Sequence, residues 1–211
     1  MEVSAASLTP RQLYKLMTGS IVPRPIGWIS TRSKEGAFNL APFSYFIAVS
    51  SDPPTLMFSS GMRGAGTPKD TLKNARETEE FVANIVTADL AEAMNITAID
   101  APPGTSEFEL AGVTPSASTE VAAPRVLESP IHFECKVSHV LEIGSNILVF
   151  GQIVHIHVDD SVLLSGDKID IEKLRPVGRL AGSGYVHISD LFEMERPAYS
   201  DAVVQGDVAE S

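Results

Sequence analysis

The segment Gly61-Met62-Arg63-Gly64-Ala65-Gly66-Thr67-Pro68-Lys69-Asp70-Thr71 holds the residue types that anion recognition needs. Its glycines let backbone N–H groups approach a ligand. It opens directly into a helix-start signal, Thr67-Pro68-Lys69-Asp70, with Thr at the N-cap and Pro at the first helical position. Loop amides and the positive end of a helix macrodipole then point the same way, which suits a phosphate monoester. Lys69 would add a cation and Thr71 a hydroxyl donor. Arg63 is a weaker candidate, because its side-chain direction is not set by the sequence. Neither standard phosphate fingerprint is matched. Gly66 is followed by Thr67 where a P-loop has Lys, and the glycines run G-x-x-G-x-G. The same residues also suit a flexible turn before an ordinary helix, and the segment alone leaves both readings open.

A second segment, Asn39-Leu40-Ala41-Pro42-Phe43-Ser44-Tyr45-Phe46, sets Asn39 and Ser44 among apolar and aromatic neighbours. Backbone left open near Pro42 would suit the edge of a flat, amide-bearing ring; a strand entry with a turn proline is the plainer alternative. Ser59-Ser60 precedes the glycine loop and is placed to aim hydroxyls at the same site. His155 and His157 alternate on one expected strand and share a face, but no further ligands with zinc spacing accompany them, so no metal site is expected. Cys135 alternates with Ile131 and Phe133 and reads as a core residue. No nucleophile elbow, H-E-x-x-H or CxxC occurs, and no catalytic side chain is assigned.

Several elements must position these residues. Thr9-Pro10-Arg11-Gln12 is a capping box that predicts a helix with Leu13, Leu16 and Met17 on its apolar face. The Thr67 signal predicts a second helix to about Thr78, and a third is expected from Ala88 to about Ala98. Strands are expected over Pro25–Thr31, Ser44–Val49, Thr55–Ser59, Phe81–Val86, Ile131–Val137 and Ile147–Val158. In the fifth, Ile131, Phe133, Cys135 and Val137 should face one way and His132, Glu134 and Lys136 the other. Gly144-Ser145-Asn146 should be a turn, and Gly151-Gln152 a bulge or bend in the last strand. Strands separated by turns more than by helices favour a mainly antiparallel barrel with peripheral helices over a doubly wound parallel sheet. The barrel domain is expected over 1–196 with an irregular, Pro- and Ser-rich excursion at 101–125. The acidic tail 197–211 is expected to be mobile.

The net charge is −11, which disfavours nucleic acid and anionic membranes as partners. A single cysteine among 211 residues excludes an intramolecular disulfide and fits a reducing, cytoplasmic setting. The N-terminus lacks a basic stretch followed by an apolar run, so no signal peptide is expected.

Four stretches, in order, resemble the flavin reductase-like family of FMN-binding split barrels, and especially its flavoredoxin-like branch. They are Pro23 to Thr31, Asn39 to Phe46 with Val49 to Pro54, Gly66 to Thr71, and Arg179-Leu180-Ala181-Gly182-Ser183-Gly184-Tyr185. The resemblance implies a six-stranded antiparallel split barrel, a homodimer and one FMN per subunit near the interface. It places Asn39, Ala41 and Ser44 against the isoalloxazine, and Ser59, Ser60, Lys69 and Thr71 toward the ribityl chain and phosphate, with Pro42 and Asp70 also expected among the cofactor-binding residues. Ser30 and Thr31 would approach the flavin from the end of the first barrel strand, and Tyr185 would lie near the FMN or the dimer interface. The family's shorter reductases carry a Gly-Asp-His turn associated with nicotinamide; the matching turn here is Gly144-Ser145-Asn146. The electron donor therefore stays open between NAD(P)H, in an oxidoreductase that serves a small acceptor, and a redox-partner protein, in an electron carrier. A barrel that binds another phosphorylated ligand is the third reading.

Overall fold

The computed structural model describes residues 1–102 and 105–198, so the expected mobile tail lies, from residue 199 onward, outside the described residues. Its helices are α1 (Pro10–Ser20), α2 (Asp70–Thr78), α3 (Ala91–Ile96), α4 (Glu107–Ala111) and α5 (Ile171–Leu174). The strands are β1 (Gly27–Arg32), β2 (Phe38–Phe43), β3 (Phe46–Ser51), β4 (Pro54–Gly61), β5 (Glu80–Ile85), β6 (Pro115–Ser116), β7 (Arg125–Val126), β8 (Ile131–Ile143), β9 (Asn146–Val158), β10 (Val177–Arg179) and β11 (Tyr185–His187).

Seven strands form one antiparallel sheet in the order β2-β1-β5-β8-β9-β4-β3. The two edge strands, β2 and β3, are consecutive in the chain and separated only by Ser44 and Tyr45. That short link forces the sheet to curl until its edges approach, and β2 does pack against β4, the neighbour of β3. The result is a split barrel. Six strands were expected; the seventh arises because the bend at Ser44-Tyr45 divides what would be one strand into β2 and β3. Pro42 is tolerated in β2 because an edge strand leaves one side of its ladder unpaired.

The barrel core joins Phe43, Phe58, Phe81 and Val149 from the strands to Leu72 and Ala75 of α2. Gly151 permits this packing, since a Cβ there would stand 2.4 Å from the Phe81 ring and 2.8 Å from Cys135 Cβ. A second core lies outside β1 and β2, where Trp28, Leu40, Met94, Phe108 and Val126 meet. Trp28 closes it by donating its indole N–H to Thr97 Oγ1 at 2.8 Å. Strand β1 is thus buried on both faces, which accounts for its apolar run.

Some expectations are corrected here. The capping box of α1 is formed, yet Leu16 and Met17 are 44% and 48% exposed, so the helix's apolar face is not covered by this chain. The ladder runs regularly through Gly151-Gln152, and the register shifts fall to either side, between Val137 and His139 and between Glu134 and Cys135. The turn at Gly144-Ser145 is formed, with Gly144 at φ 57°. The alternation in β8 is formed, with Phe133, Cys135 and Val137 on the barrel core, and its other face is covered as well. His132 and Glu134 are buried as deeply as Ile131 and Cys135, because the 101–125 excursion folds over that face. Glu134 accepts hydrogen bonds from the amides of Thr119 (2.8 Å), Glu120 (2.6 Å) and Val121 (3.2 Å), and from His157 Nε2 at 2.5 Å.

Candidate functional site

Strand β2 forms one wall of a cavity of about 680 Å³, a size typical of small-molecule sites. Its outer edge carries no strand partner, and the Leu40 amide on that edge donates instead to Glu107 Oε2 at 3.3 Å. Asn39, Ala41, Pro42 and Ser44 all line the cavity, so the segment singled out in the sequence does present its open backbone there. A smaller cavity of about 360 Å³ adjoins it and shares Asn39, Asp70 and Glu107.

The start of α2 forms another wall. The helix begins at Asp70, not at Pro68 as the sequence signal suggested. Thr67 cannot serve as N-cap because its carbonyl accepts from the Arg63 amide at 2.8 Å, and Pro68 is drawn into a bridge with Met62. Lys69 becomes the N-cap, and no side chain caps the helix. The first-turn amides therefore meet no side-chain cap at the cavity wall, and the one acidic side chain of that turn, Asp70, is held by Arg63. Thr71, buried at 1% exposure, accepts from Asn39 Nδ2 at 2.8 Å and has no acceptor for its own O–H among the described residues. Behind it, Thr31 Oγ1 accepts from Asn39 Nδ2 at 3.4 Å and Asn74 Nδ2 at 3.1 Å, which fixes the orientation of both amides.

Charge around the cavity is uneven. Arg63 bridges Asp70 at 3.0 Å and Asp100 at 2.6 Å, and the Asp70 hydrogen bond raises its pKa further. Burial pushes the Glu107 carboxyl above its usual range, and nearby Asp70 adds to the shift. Arg24 is buried and Arg179 half-buried, and neither is ion-paired among the described residues. The Arg179 guanidinium lies 4.4 Å from the centroid of the Tyr185 ring, whose hydroxyl donates to Asn95 Oδ1 at 3.0 Å.

Residues 18–168 match the Flavin reductase like domain. The chain belongs to the flavin reductase-like family. An uncharacterized protein of Aquifex aeolicus is 47% identical over 174 residues, 82% of this chain and 89% of that protein. Among solved structures, nitrilotriacetate monooxygenase component B from Bacillus cereus is 37% identical with a TM-score of 0.88, over 92% of this chain and 98% of that one. The 2-nitrobenzoate 2-nitroreductase NbaA of Pseudomonas fluorescens is 32% identical with a TM-score of 0.86, over 94% and 98%.

In this flavin reductase-like barrel the cavity collects Asn39, Ala41, Pro42, Ser44, Lys69, Asp70, Thr71 and Tyr185 from the residues singled out in the sequence. It does not collect the other four. Thr31 stands behind Asn39, as described. Ser30 is fully buried, donates to the Pro124 carbonyl and accepts from Asn84 Nδ2 at 3.1 Å, tying the excursion to β1. Ser60 is buried and donates to the Gly61 carbonyl at 3.0 Å, and Ser59 accepts from Asn146 Nδ2 at 3.2 Å. Arg24, Glu107 and Arg179 line the cavity without having been proposed for it. The one available signal was Arg24, a lone cation between two prolines within an apolar stretch of an acidic chain.

Three residues recede from chemistry. Cys135 is buried, and burial drives its thiol pKa far above the ordinary value, so it remains protonated. His155 and His157 do share a face, with ring centroids 4.6 Å apart, but His157 is taken up by Glu134. Among the described residues no group of three or more His, Cys, Asp or Glu side chains is arranged to hold a metal ion.

Proposed function

We propose that this protein is an FMN-dependent oxidoreductase that takes reducing equivalents from NAD(P)H and passes them to a small acceptor. The observation that carries the reading is the cavity itself: an uncapped helix N-terminus beside Lys69 and Thr71 at one end, and an open strand edge along the wall. The buried Thr71 hydroxyl, a donor without an acceptor, fits an oxygen-rich phosphate. The residues present therefore fit the cofactor. Lys69 and the α2 amides would hold the phosphate, and the β2 edge from Asn39 to Ser44 would present backbone donors and acceptors to the ring. When bound, FMN supplies hydride chemistry; the protein supplies binding, orientation and a sheltered site. No side chain needs to act as acid or base in that division of labour. Similar solved structures, a nitroreductase and a monooxygenase component, support an oxidoreductase setting.

The test is spectroscopic. Purified protein reconstituted with FMN should show bands near ~370 and ~450 nm, and anaerobic NADH or NADPH should bleach them within one turnover. Absence of the bands after reconstitution rejects the FMN reading. Bands that bleach only with a reduced protein donor would instead support an electron carrier, the alternative that the Gly144-Ser145-Asn146 turn keeps in view.

The protein is further proposed to be a homodimer. Trp28 and Phe43 are spent on the cores. The exposed apolar side chains that support an interface include Leu16, Met17 and Ile21 near α1, Ile47 and Val49 on β3, and Leu141 on β8. Sedimentation equilibrium at micromolar concentration should give twice the chain mass of 22.6 kDa; a monomer there would overturn this.

A further inference from the structure

Arg24 is 7% exposed, yet no carboxylate lies within ion-pairing distance of it among the described residues. Its guanidinium donates to three carbonyls, Thr18 at 2.7 Å, Ile21 at 3.1 Å and Leu180 at 2.9 Å. Those contacts satisfy donors but supply no countercharge. A buried cation left in that state is costly unless an anion completes it. Arg24 also lines the cavity, and its Nε stands 3.5 Å from Ser44 Oγ.

Position along β2 says which anion. The α2 N-terminus meets β2 at Asn39, through the bond between Asn39 and Thr71. Arg24 stands at the other end, at Ser44 just beyond β2. The extended strand between them puts those points roughly 16 Å apart, at about 3.3 Å per residue. A phosphate held at the first end leaves the second end for the ring. The other charged and titratable groups of the cavity do not compensate Arg24. Asp70 and Asp100 are taken up by Arg63, and Glu107 sits toward Asn39, bound to the Leu40 amide. Lys69 is at the helix end. Arg179 adds a further cation against Tyr185, and Tyr14 enters from α1.

We infer that Arg24 stabilises the negative charge that two-electron reduction leaves on the bound flavin ring, and thereby raises the ring's reduction potential. The inference rests on the FMN reading above. The balance is simple: a hydride from a dihydronicotinamide carries two electrons and one proton, so a neutral ring gains one negative charge and the donor becomes a nicotinamide cation. Without a cation beside the ring, a second proton from solvent would neutralise that charge. Arg24 makes the second proton unnecessary.

The experiment uses protein reconstituted with FMN and anaerobic redox titration against a dye of known potential, with free FMN titrated in parallel. Between pH 5 and 6 the wild-type potential should fall by about 30 mV per pH unit, one proton per two electrons, where free FMN falls by about 59 mV. A wild-type slope equal to that of free FMN overturns the inference, and this measurement needs no variant. In Arg24→Gln the reduced flavin should bind at least tenfold more weakly relative to the oxidised form. The preference for FMN over riboflavin should be unchanged. Unaltered relative binding of the two redox states would overturn the assignment. So would a collapse of the FMN-to-riboflavin preference, which would make Arg24 a phosphate ligand. Failure to bind FMN in the wild type rejects the underlying reading instead, so the two failures are distinguishable.

Discussion

Replacing Glu134 by alanine is expected to lower the thermal midpoint by roughly 6–20 °C, from a loss of about 3–5 kcal/mol when one partner of a buried charged cluster is removed. Glu134 is completely buried on β8. Burial raises its pKa, but the amides of Thr119 and Glu120 and the His157 ring together outweigh burial and hold the carboxyl below its ordinary range. Removing the side chain strands three backbone N–H groups of the excursion and one imidazole in a space that water does not replace well. The excursion has few other holds of comparable strength; Glu80 takes the Ala122 amide at 2.8 Å, and Ser30 takes the Pro124 carbonyl. Thermal melts of wild type, Glu134→Gln and Glu134→Ala decide the matter, and a shift below about 2 °C for alanine would show that the clasp does not hold the strap.

Acid should act on the same place. His132 is buried with Nε2–H donated to the Val126 carbonyl at 2.8 Å and with Nδ1 unpartnered. Burial lowers its pKa from 6.5 to about 4. The unfolded chain thus binds this proton at a higher pH than the folded one, so stability is full above pH 6.5 and is lost as pH falls from there through 4, by up to about 3 kcal/mol. Glu134, with its folded pKa depressed, adds a loss that begins only below its ordinary value of 4.5. Urea melts across pH 4–7 should therefore show wild type weakening first through His132, and Glu134→Ala should lack the final, most acidic part of the decline.

Much of this architecture is legible in the residues, for local reasons. Thr9 and Gln12 cap each other in any context, and Gly144-Ser145 between two β-branched runs has few alternatives to a hairpin turn. The open edge at Asn39 to Ser44 and the helix-bound loop at Lys69 to Thr71 are likewise continuous stretches, so their chemistry is read directly. What escapes is set by partners distant in sequence. The start of α2 moved because the Thr67 carbonyl is engaged by Arg63. What covers the polar face of β8 is not legible, because the covering segment contributes backbone amides, and a Pro- and Ser-rich sequence has no periodicity to announce them. Ser30, Ser59 and Ser60 match a family pattern, but their hydroxyls are turned to neighbouring chain in this fold. Arg24 and Glu107 gain meaning only once α1, β2 and α4 stand around one cavity.

Lys69→Ala is expected to weaken FMN by roughly ten- to hundredfold, the equivalent of losing one charged hydrogen bond of about 1.5–3 kcal/mol, while leaving riboflavin within about twofold. Lys69 is the N-cap of α2 and lines the cavity, and no side chain caps the helix in its place. A lysine at that position opposes the helix dipole, which favours anions at the N-terminus. The arrangement becomes favourable once a dianionic phosphate stands between the amides and the ammonium group. The need is sharpened by the chain's net charge of −11, which repels an anionic ligand at long range, and by Asp70 and Asp100, which already occupy Arg63. Lys69 is therefore the cation on this side of the cavity that no carboxylate neutralises among the described residues. Raising the salt concentration should weaken FMN binding to wild type more than to Lys69→Ala, because the variant has lost a screened attraction. Fluorescence titration of both flavins, at two salt concentrations, measures all of this in one series. Equal losses for FMN and riboflavin would move the phosphate away from α2, and the Thr71 hydroxyl would then need another acceptor.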